Sequence, residues 1–296
     1  MKKLGLSLGI LLFIYLGLRL VPARSVESKP VFDSKGQFVV AHRCGRNVYP
    51  ENTLYACKEL AKSEIADYFE MDFHLTKDLV PVVIHDDRVD RTTNGSGLVS
   101  DLTLAELQSL DAGYRFTMDG GETFPYRGKG IRVETLEETF RTLTGRKLMV
   151  EVKPDSTEAA DLLLALIQKY KLENRIIVGS FHQNIKDYLY QKAPQLTYFA
   201  SSNEVILWTI LEKFGLSHLY KMPAHLLAVP KKQSILEVTP EYLKSAQKQN
   251  LKVHVWTIND AETMQELIDM KVDGIMSDDP ILLRKLYLET QKAQGL

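Results

Sequence analysis

Short apolar runs alternate with amphipathic stretches of helical period along most of this chain, and that rhythm limits its fold more than any other feature. The strand-like runs are Phe38–His42, Tyr68–Leu75, Pro81–His85, Lys147–Val152, Arg175–Ser180, Leu196–Ala200, Leu226–Val229, Lys252–Thr257 and Gly274–Ser277. The helical stretches include Asn52–Lys62, Leu104–Leu110, Leu136–Leu143, Ala159–Tyr170, Gln183–Gln191, Pro240–Asn250, Ala261–Met270 and Pro280–Leu288. Such alternation means βα units and a parallel sheet, because parallel neighbours need a connection long enough to hold a helix. The count suits an α/β barrel of the (β/α)8 TIM type, with one strand to spare. The surplus falls at Thr76-Lys77-Asp78-Leu79-Val80, which is too short for a crossover helix. It reads as a hairpin-like turn, so one of its two flanking strands is expected to be irregular. A doubly wound open sheet is the alternative, but no GxGxxG follows a strand to support its dinucleotide version.

The chain has 296 residues, 45% of them hydrophobic, enough for a large core in one or two domains. A net charge of −1 with no basic stripe argues against nucleic acid as the main ligand. Only two cysteines are present, Cys44 and Cys57, in neither the number nor the spacing of a disulfide scaffold or zinc site. Cys57 reads as a small core residue, and a Cys44–Cys57 bridge is the minority reading, confined to an oxidising compartment.

The N-terminus stands apart. Lys2-Lys3 precede an uncharged run from Leu4 to Leu18, and Arg19 separates it from Leu20-Val21-Pro22-Ala23. A bilayer span needs roughly 20 apolar residues, reached here only if Arg19 snorkels. Residues 1–24 are read as an uncleaved signal anchor, Arg19 and Pro22 making a poor cleavage region. The alternative is a signal peptide cut after the small residues Val21 and Ala23, which leaves a secreted or periplasmic protein. The anchor keeps Lys2-Lys3 cytoplasmic and the globular part outside, although Arg24, Lys29 and Lys35 weigh against that orientation. Residues 25–37, with Pro30 and Gly36, read as a linker, 38–290 as the barrel domain and 291–296 as a tail.

Chemistry-bearing residues fall where strands end. His42-Arg43 close the first strand, followed by Pro50-Glu51-Asn52; Glu70-Met71-Asp72, His85-Asp86 and Glu151-Val152-Lys153 lie on or at the ends of others. Strand C-termini are where α/β sheets place their sites. Glu70 and Asp72, two apart, share a strand face and would repel unless a cation joined them. With Glu151 they form an all-oxygen set that favours Mg²⁺ or Ca²⁺ over zinc. The competing reading is ion pairing with Lys153 or Arg43, which is favoured for Glu70 taken alone. A lone histidine at such a place is more simply structural, but His42 and His85 together suit an acid–base pair. Asp86 either orients a histidine or caps the next turn. Asn52 is read as an N-cap. Arginine's planar fork at Arg43 suits phosphate.

These segments, with the late Trp256-Thr257-Ile258-Asn259 and Asp273-Gly274…Asp278-Asp279-Pro280, resemble in kind and order the glycerophosphodiester phosphodiesterase family from about Val39 to Leu286. One departure is Cys44, where the family usually has glycine after His-Arg; a positive φ there would strain a cysteine. The resemblance implies a divalent cation, Mg²⁺ or Ca²⁺, and hydrolysis of glycerophosphodiesters to an alcohol and glycerol 3-phosphate. A substrate glycerol hydroxyl attacks phosphorus to give a cyclic phosphate that water opens, or water attacks directly. Arg43 and Lys153 would stabilise phosphoryl charge, Glu51 would lie near the substrate, and Trp256 would wall the glycerol or choline group. Asp273, Asp278 and Asp279 are read as structural, with Asp279-Pro280 opening the last helix. A variant with the same residues is a lysophospholipase D that releases lysophosphatidic acid. A non-catalytic lipid-binding barrel would have lost key groups that are present here. A phosphoinositide-cleaving lipase is disfavoured by Pro50-Glu51-Asn52-Thr53 and the late Trp-Thr-Ile-Asn.

Two insertions remain. Asp111–Arg132, rich in glycine and aromatics, is expected to be a long ordered loop shaping substrate access. Ser201–His225 reads as a buried barrel helix or, alternatively, a lipid-facing lid; the lid requires an exposed Trp208.

Overall fold

The computed structural model describes residues 2–33 and 36–295. Lys35, one of the flanking basic residues, and Leu296, the end of the expected tail, lie outside them. Eight parallel strands form the wall of a TIM-type (β/α)8 barrel. They are β1 (Phe38–Ala41), β2 (Tyr68–Leu75), β4 (Lys147–Val152), β5 (Ile176–Gly179), β6 (Thr197–Tyr198), β7 (Leu226–Pro230), β10 (Lys252–Trp256) and β11 (Gly274–Ser277). They run side by side in the order β6-β5-β4-β2-β1-β11-β10-β7. A parallel bridge between Phe199 and Leu226, with Ala200 N donating to Leu226 O, links the two ends. The surplus strand is β3 (Pro81–Val83), which folds back antiparallel on β2, so the turn at 76–80 is a hairpin. A two-stranded ribbon, β8 (Lys232–Gln233) and β9 (Leu236–Glu237), rises after β7.

The helices α2 (Leu54–Lys62), α3 (Leu104–Gln108), α4 (Leu136–Thr142), α5 (Thr157–Tyr170), α6 (Gln183–Lys192), α7 (Ser202–Lys213), α8 (Pro240–Gln247), α9 (Ala261–Asp269) and α10 (Pro280–Ala293) follow in chain order. Side chains of Thr53, Ser156, Ser201, Thr239, Asp260 and Asp279 accept from backbone N–H groups in the first turns of the helices they open. Each such cap contributes about 1 kcal/mol. Helix α10 reaches Ala293, so the expected tail begins as the last turn of this helix.

Strand alternation sorts the core into two layers. Val39, Ala41, Phe69, Met71, Phe73, Leu148, Val150 and Val152 point outward and pack under the helices. Phe38, Val40, Tyr68, Met149, Ile177, Phe199, Leu226 and Met276 fill the lumen. Bulky lumen groups meet small ones: a Cβ at Gly274 would lie 2.6 Å from His254, and one at Gly179 would lie 2.5 Å from Phe199.

The stretch expected to be a linker closes the barrel floor. Val31 is fully buried, Tyr68 Oη donates to its carbonyl at 2.6 Å, and Phe32 packs in the lumen. Apolar residues in a segment read as polar make this plug.

Among the described residues no helix is long and apolar enough to cross a membrane. The N-terminal helix α1 (Lys2–Arg19) stops at Arg19 rather than running on through Ala23. Its Leu11, Leu12, Phe13 and Leu16 are exposed.

The lid reading of Ser201–His225 is overturned. Trp208 is completely buried, donates to Gln249 Oε1 at 2.7 Å and stacks edge-on against Tyr242. Helix α7 is a barrel helix. The other insertion, Asp111–Arg132, is an ordered excursion whose Ala112 and Ile131 join a small separate core with Val89, Val99 and Leu107 of the segment before it.

Candidate active site

On four of the strands the lumen-facing register leads, at or just past the C-terminal part, into polar residues that meet at one mouth. Counting by two gives Phe38-Val40-His42 on β1, Tyr68-Glu70-Asp72 on β2, Met149-Glu151-Lys153 on β4 and Gly274-Met276-Asp278 on β11. The cavity they line, about 230 Å³, also takes Arg43, Arg46, His85, Phe181, Phe199 and Trp256. The structure therefore gathers His42, Arg43, Glu70, Asp72, His85, Glu151, Lys153 and Trp256 around one space. Glu51 is not among them: it lies behind, with Arg43 Nη1 at 2.9 Å and the two Arg91 Nη groups at 2.7 and 2.8 Å. Burial pushes this carboxyl up, but Arg91 and Arg43 outweigh burial and hold it at about 2. Glu51 thus fixes Arg43 instead of lining the cavity.

Each histidine rests on a carboxylate. His42 Nδ1 is 2.5 Å from Asp278 Oδ1, and His85 Nδ1 is 2.7 Å from Asp86 Oδ1. A carboxylate on Nδ1 fixes the tautomer in which Nε2 is free to accept a proton. Asp278, read as structural, is therefore part of the site. Asn259 holds it, donating to Oδ2 at 2.8 Å and accepting from its backbone N–H at 3.0 Å. Asp86 takes the orienting role and is itself bound by Arg91 at 2.6 Å. Burial lowers His85 below the ordinary imidazole range, against the Asp72 charge and the hydrogen bond to Asp86, which favour its protonated form.

The turn carrying His42 and Arg43 is strained. Arg43, Cys44 and Gly45 all have positive φ, at 49°, 56° and 82°. The left-handed Cys44, standing where the family usually has glycine, is one of two consecutive non-glycine outliers, each costing about 1–3 kcal/mol. A Cys44–Cys57 disulfide ties this turn to helix α2, so the minority reading of the cysteines is correct and Cys57 is not a free core thiol. Asn52 is not the N-cap; Thr53 is. Asn52 instead donates to Asp72 Oδ2 at 3.1 Å from a left-handed backbone of its own.

The carboxylates share little charge. Burial, then the Asp72 charge, push Glu70 well above the ordinary carboxylate range, and the same causes push Glu151 up to about 7. Burial also works against Asp72, but Lys153, His85 and Arg43 outweigh it and keep Asp72 ionised. Lys153 Nζ sits 3.1 Å from Asp72 Oδ1 and 2.9 Å from Glu151 Oε2. Among the described residues no group of three or more His, Cys, Asp or Glu is arranged as a metal site. Arg43 Nε is buried without a hydrogen-bond partner among the described residues, 3.7 Å from Asp72.

Residues 42–282 match the model of the glycerophosphoryl diester phosphodiesterase family. The chain belongs to that family. A glycerophosphodiester phosphodiesterase of Caldanaerobacter subterraneus subsp. tengcongensis is 35% identical over 84% of this chain and 96% of its own. Among solved structures of the family, the glycerophosphodiester phosphodiesterase of Agrobacterium tumefaciens superposes with a TM-score of 0.68 at 26% identity, over 84% of this chain and 99% of that one. An Oleispira antarctica phosphodiesterase, solved with the product sn-glycerol-3-phosphate, gives 0.69 at 24% identity, over 83% and 95%. The family match starts at His42, the residue with which the mouth of the barrel begins.

Sequence reading missed Asp278, Asn259, Asn52, Arg46, Arg91 and Phe181 as members or supports of the site. The lumen count would have found two of them: Asp278 follows Gly274 and Met276, and Phe181 follows Ile177 and Gly179. Asn52, Arg46 and Arg91 lie on loops, where no register applies. The Asp111–Arg132 insertion does not line the central cavity. Its Ala112, Arg115, Phe116 and Thr117 line a side pocket of about 330 Å³ with Arg46, Glu51 and Arg91.

Proposed function

We propose that this chain hydrolyses glycerophosphodiesters to an alcohol and glycerol 3-phosphate, with His42 and His85 as its acid–base pair. The observation that carries this is the pair of imidazoles at one mouth, each with Nδ1 on a carboxylate. One Nε2 takes the proton of the attacking oxygen, and the other delivers a proton to the departing alcohol oxygen. Arg43 Nε–H, buried and unpaired, suits a phosphoryl oxygen, and Lys153, kept charged by Asp72 and Glu151 against the pull of burial, faces the same space. Phe181 and Trp256 line the same cavity, with Lys153 Nζ 5.9 Å from the Phe181 ring centre.

Glu70, Asp72 and Glu151 would hold a Mg²⁺ or Ca²⁺ ion. Their fit is chemical: all are oxygen donors, Glu70 and Asp72 buried and Glu151 nearly so, and burial and then the Asp72 charge push Glu70 and Glu151 towards the neutral acid. A bound divalent ion would stabilise negative charge growing on the phosphoryl oxygens.

The bridged cysteines suit an oxidising compartment. With exposed apolar α1, they support a barrel outside the cytoplasm, tethered to a membrane by its N-terminal helix. Extraction of the native protein by alkaline carbonate, with an N-terminus mapped beyond Ala23, would replace the tether by cleavage and secretion.

Incubation with glycerophosphocholine, with Mg²⁺, Ca²⁺ or chelator, tests the activity by phosphorus NMR. Glycerol 3-phosphate formed only with a cation is expected; its formation in chelator would remove the cation from the scheme. No turnover under any of these conditions would move the chain to another diester.

A further inference from the structure

The side pocket of about 330 Å³ shares Arg46 with the catalytic cavity, and the reaction proposed above does not use it. Three arginines line it, Arg46, Arg91 and Arg115, against one carboxylate, Glu51. That carboxylate is already held by Arg43 and Arg91. Arg91 is satisfied in turn, because its guanidinium donates to both Glu51 and Asp86. The other two arginines are not. Arg46 Nε lies 3.7 Å from Glu51 Oε2 and 3.9 Å from Asp278 Oδ2, beyond hydrogen-bond distance of either. Arg115 donates Nε to Thr93 O at 3.3 Å, and its two Nη groups have no hydrogen-bond partner among the described residues. Two cations with free donors, beside a carboxylate that is already paired, attract an anion. Their planar forks match a carboxylate or a phosphate.

The wall that carries Arg115 is built in advance. Ala112 N donates to Ile131 O at 2.8 Å where the insertion leaves and rejoins the barrel. Gly113 approaches the returning chain so closely that a Cβ there would lie 2.6 Å from Tyr126 O. The Tyr126 ring packs edge-on against Phe116, their centres 5.2 Å apart, and Phe116 and Thr117 continue the pocket wall after Arg115. A wall fixed in this way needs little ordering when a ligand arrives. The pocket also adjoins one of the two histidines. Arg46 N donates to His42 O at 3.4 Å, and Asn47, which lines the pocket as well, donates its backbone N–H to Asp278 O at 3.0 Å.

We propose that the side pocket takes the alcohol half of the diester and selects alcohols that carry a second anionic group, a carboxylate or a phosphate, held by Arg46 and Arg115; the proposal rests on the diesterase reading above. Water supplies the oxygen that ends on phosphorus and the proton that ends on the alcohol. The P–O bond to that alcohol breaks, and its second anionic group is unchanged.

The test uses the full chain with Mg²⁺ or Ca²⁺ and two pairs of substrates, each pair differing by one anion. Glycerophosphoserine is set against glycerophosphoethanolamine, and glycerophosphoinositol 4-phosphate against glycerophosphoinositol, with glycerol 3-phosphate followed for all four. The anionic member is expected to have a kcat/KM about tenfold higher, the lower end for a hydrogen bond between charged groups. This ratio, taken within one variant, does not depend on the fraction of that variant that folds. Arg46→Gln and Arg115→Gln should each lower it by about threefold or more, and added salt should lower it in the parent. Lys129→Gln removes an exposed charge from the same insertion outside the pocket and should leave the ratio as it is. An advantage in one pair alone would support the pocket and identify the anion it takes. Equal turnover within both pairs would overturn the proposal while leaving the diesterase reading intact. A preference that survives Arg46→Gln and Arg115→Gln would overturn it by placing the anion elsewhere. A preference that Lys129→Gln lowers as much would overturn it by reducing the effect to the general field of the surface. Failure of all four substrates, and of glycerophosphocholine with them, would instead sink the reading on which the pocket rests.

Discussion

The mouth of this barrel has two halves of opposite character. On β1, β2, β4 and β11 the lumen register leads into His42, Asp72, Lys153 and Asp278; His42 rests on Asp278, and Asp72 is held by Asn52 and Lys153. On β5, β7 and β10 the same register ends in Phe181, Pro230 and Trp256, and beyond them lies an apolar groove. One alternation rule builds both halves, so the fold does not distinguish them; only the residue at the last step does. In the proposed reaction the polar half moves the protons and holds the phosphoryl group. The apolar half has nothing to offer but surface, and so can only decide what the rest of the substrate looks like.

The largest expected effect tests whether the polar half alone carries the chemistry. His42→Ala and His85→Ala should each lower kcat by about 10² or more with glycerophosphocholine, since each removes a proton-transfer group. Near-normal kcat in either variant would take that histidine out of the pair and leave the division between the halves unsupported.

The next effect concerns the frame of the polar half. Three successive positive-φ residues hold His42 and Arg43, and the Cys44–Cys57 bridge closes a short loop around them with a sequence separation of 13. A bridge over a loop of that size contributes about 3 kcal/mol. Cys44→Ser with Cys57→Ser, or reductant on the native chain, should lower Tm accordingly and lower kcat more than KM. An unchanged melting temperature, read beside a thiol titration that confirms opening of the bridge, would mean that the strained turn is held by its other contacts.

Much of the polar half is legible in the amino-acid sequence. His42-Arg43, Glu70, Asp72, His85, Glu151 and Lys153 announce themselves because acids, bases and cations are out of place at the ends of apolar strands. The eight-strand count and the hairpin at 76–80 follow from spacing. The apolar half is not legible in the same way. Phe181 and Trp256 look like any core aromatic, and whether Ile206 faces a neighbour or a groove depends on packing that helical period cannot reveal. The same ambiguity lies behind the lid reading of Ser201–His225: α7 is apolar on two sides because Trp208 faces the barrel while Ile206 and Ile210 face out. Val31 is hidden in a segment of linker-like composition, and Asp278 behind a plausible turn, because a single polar residue in a loop has many ordinary explanations.

The two histidines offer a finer comparison within the polar half. Asp278 is buried and held twice by Asn259, whereas Asp86 is partly exposed and shared with Arg91. A charge-assisted hydrogen bond is worth about 1.5–3 kcal/mol, or about 10- to 100-fold in rate when it positions a reacting group. Asp278→Asn should fall near the upper end and Asp86→Asn near the lower, with the pH profile of kcat/KM displaced in both. Equal losses would mean that burial of the carboxylate does not matter to its histidine.

The smallest effect is thermodynamic and reads the carboxylate trio directly. In chelator, Glu151 has its midpoint at about 7 because burial and the Asp72 charge favour the neutral acid, well above its ordinary value of 4.5. A carboxyl raised in this way adds stability that is complete below about 4.5 and is lost as pH rises through about 7. Glu70, raised for the same reasons, contributes with the same sign. A divalent ion needs these groups ionised, so protons compete with it in acid and cease to compete above neutrality. The gap in Tm between the cation-loaded and chelated protein should therefore be small at pH 5 and widen towards pH 8 by a few degrees, at about 2–4 °C per kcal/mol. Glu151→Gln should flatten both the decline in chelator and the gain with cation. A gap that stays constant across this range would place the ion away from Glu151 and leave the polar half held by Lys153, which sits between Asp72 and Glu151 with no cation needed to join them.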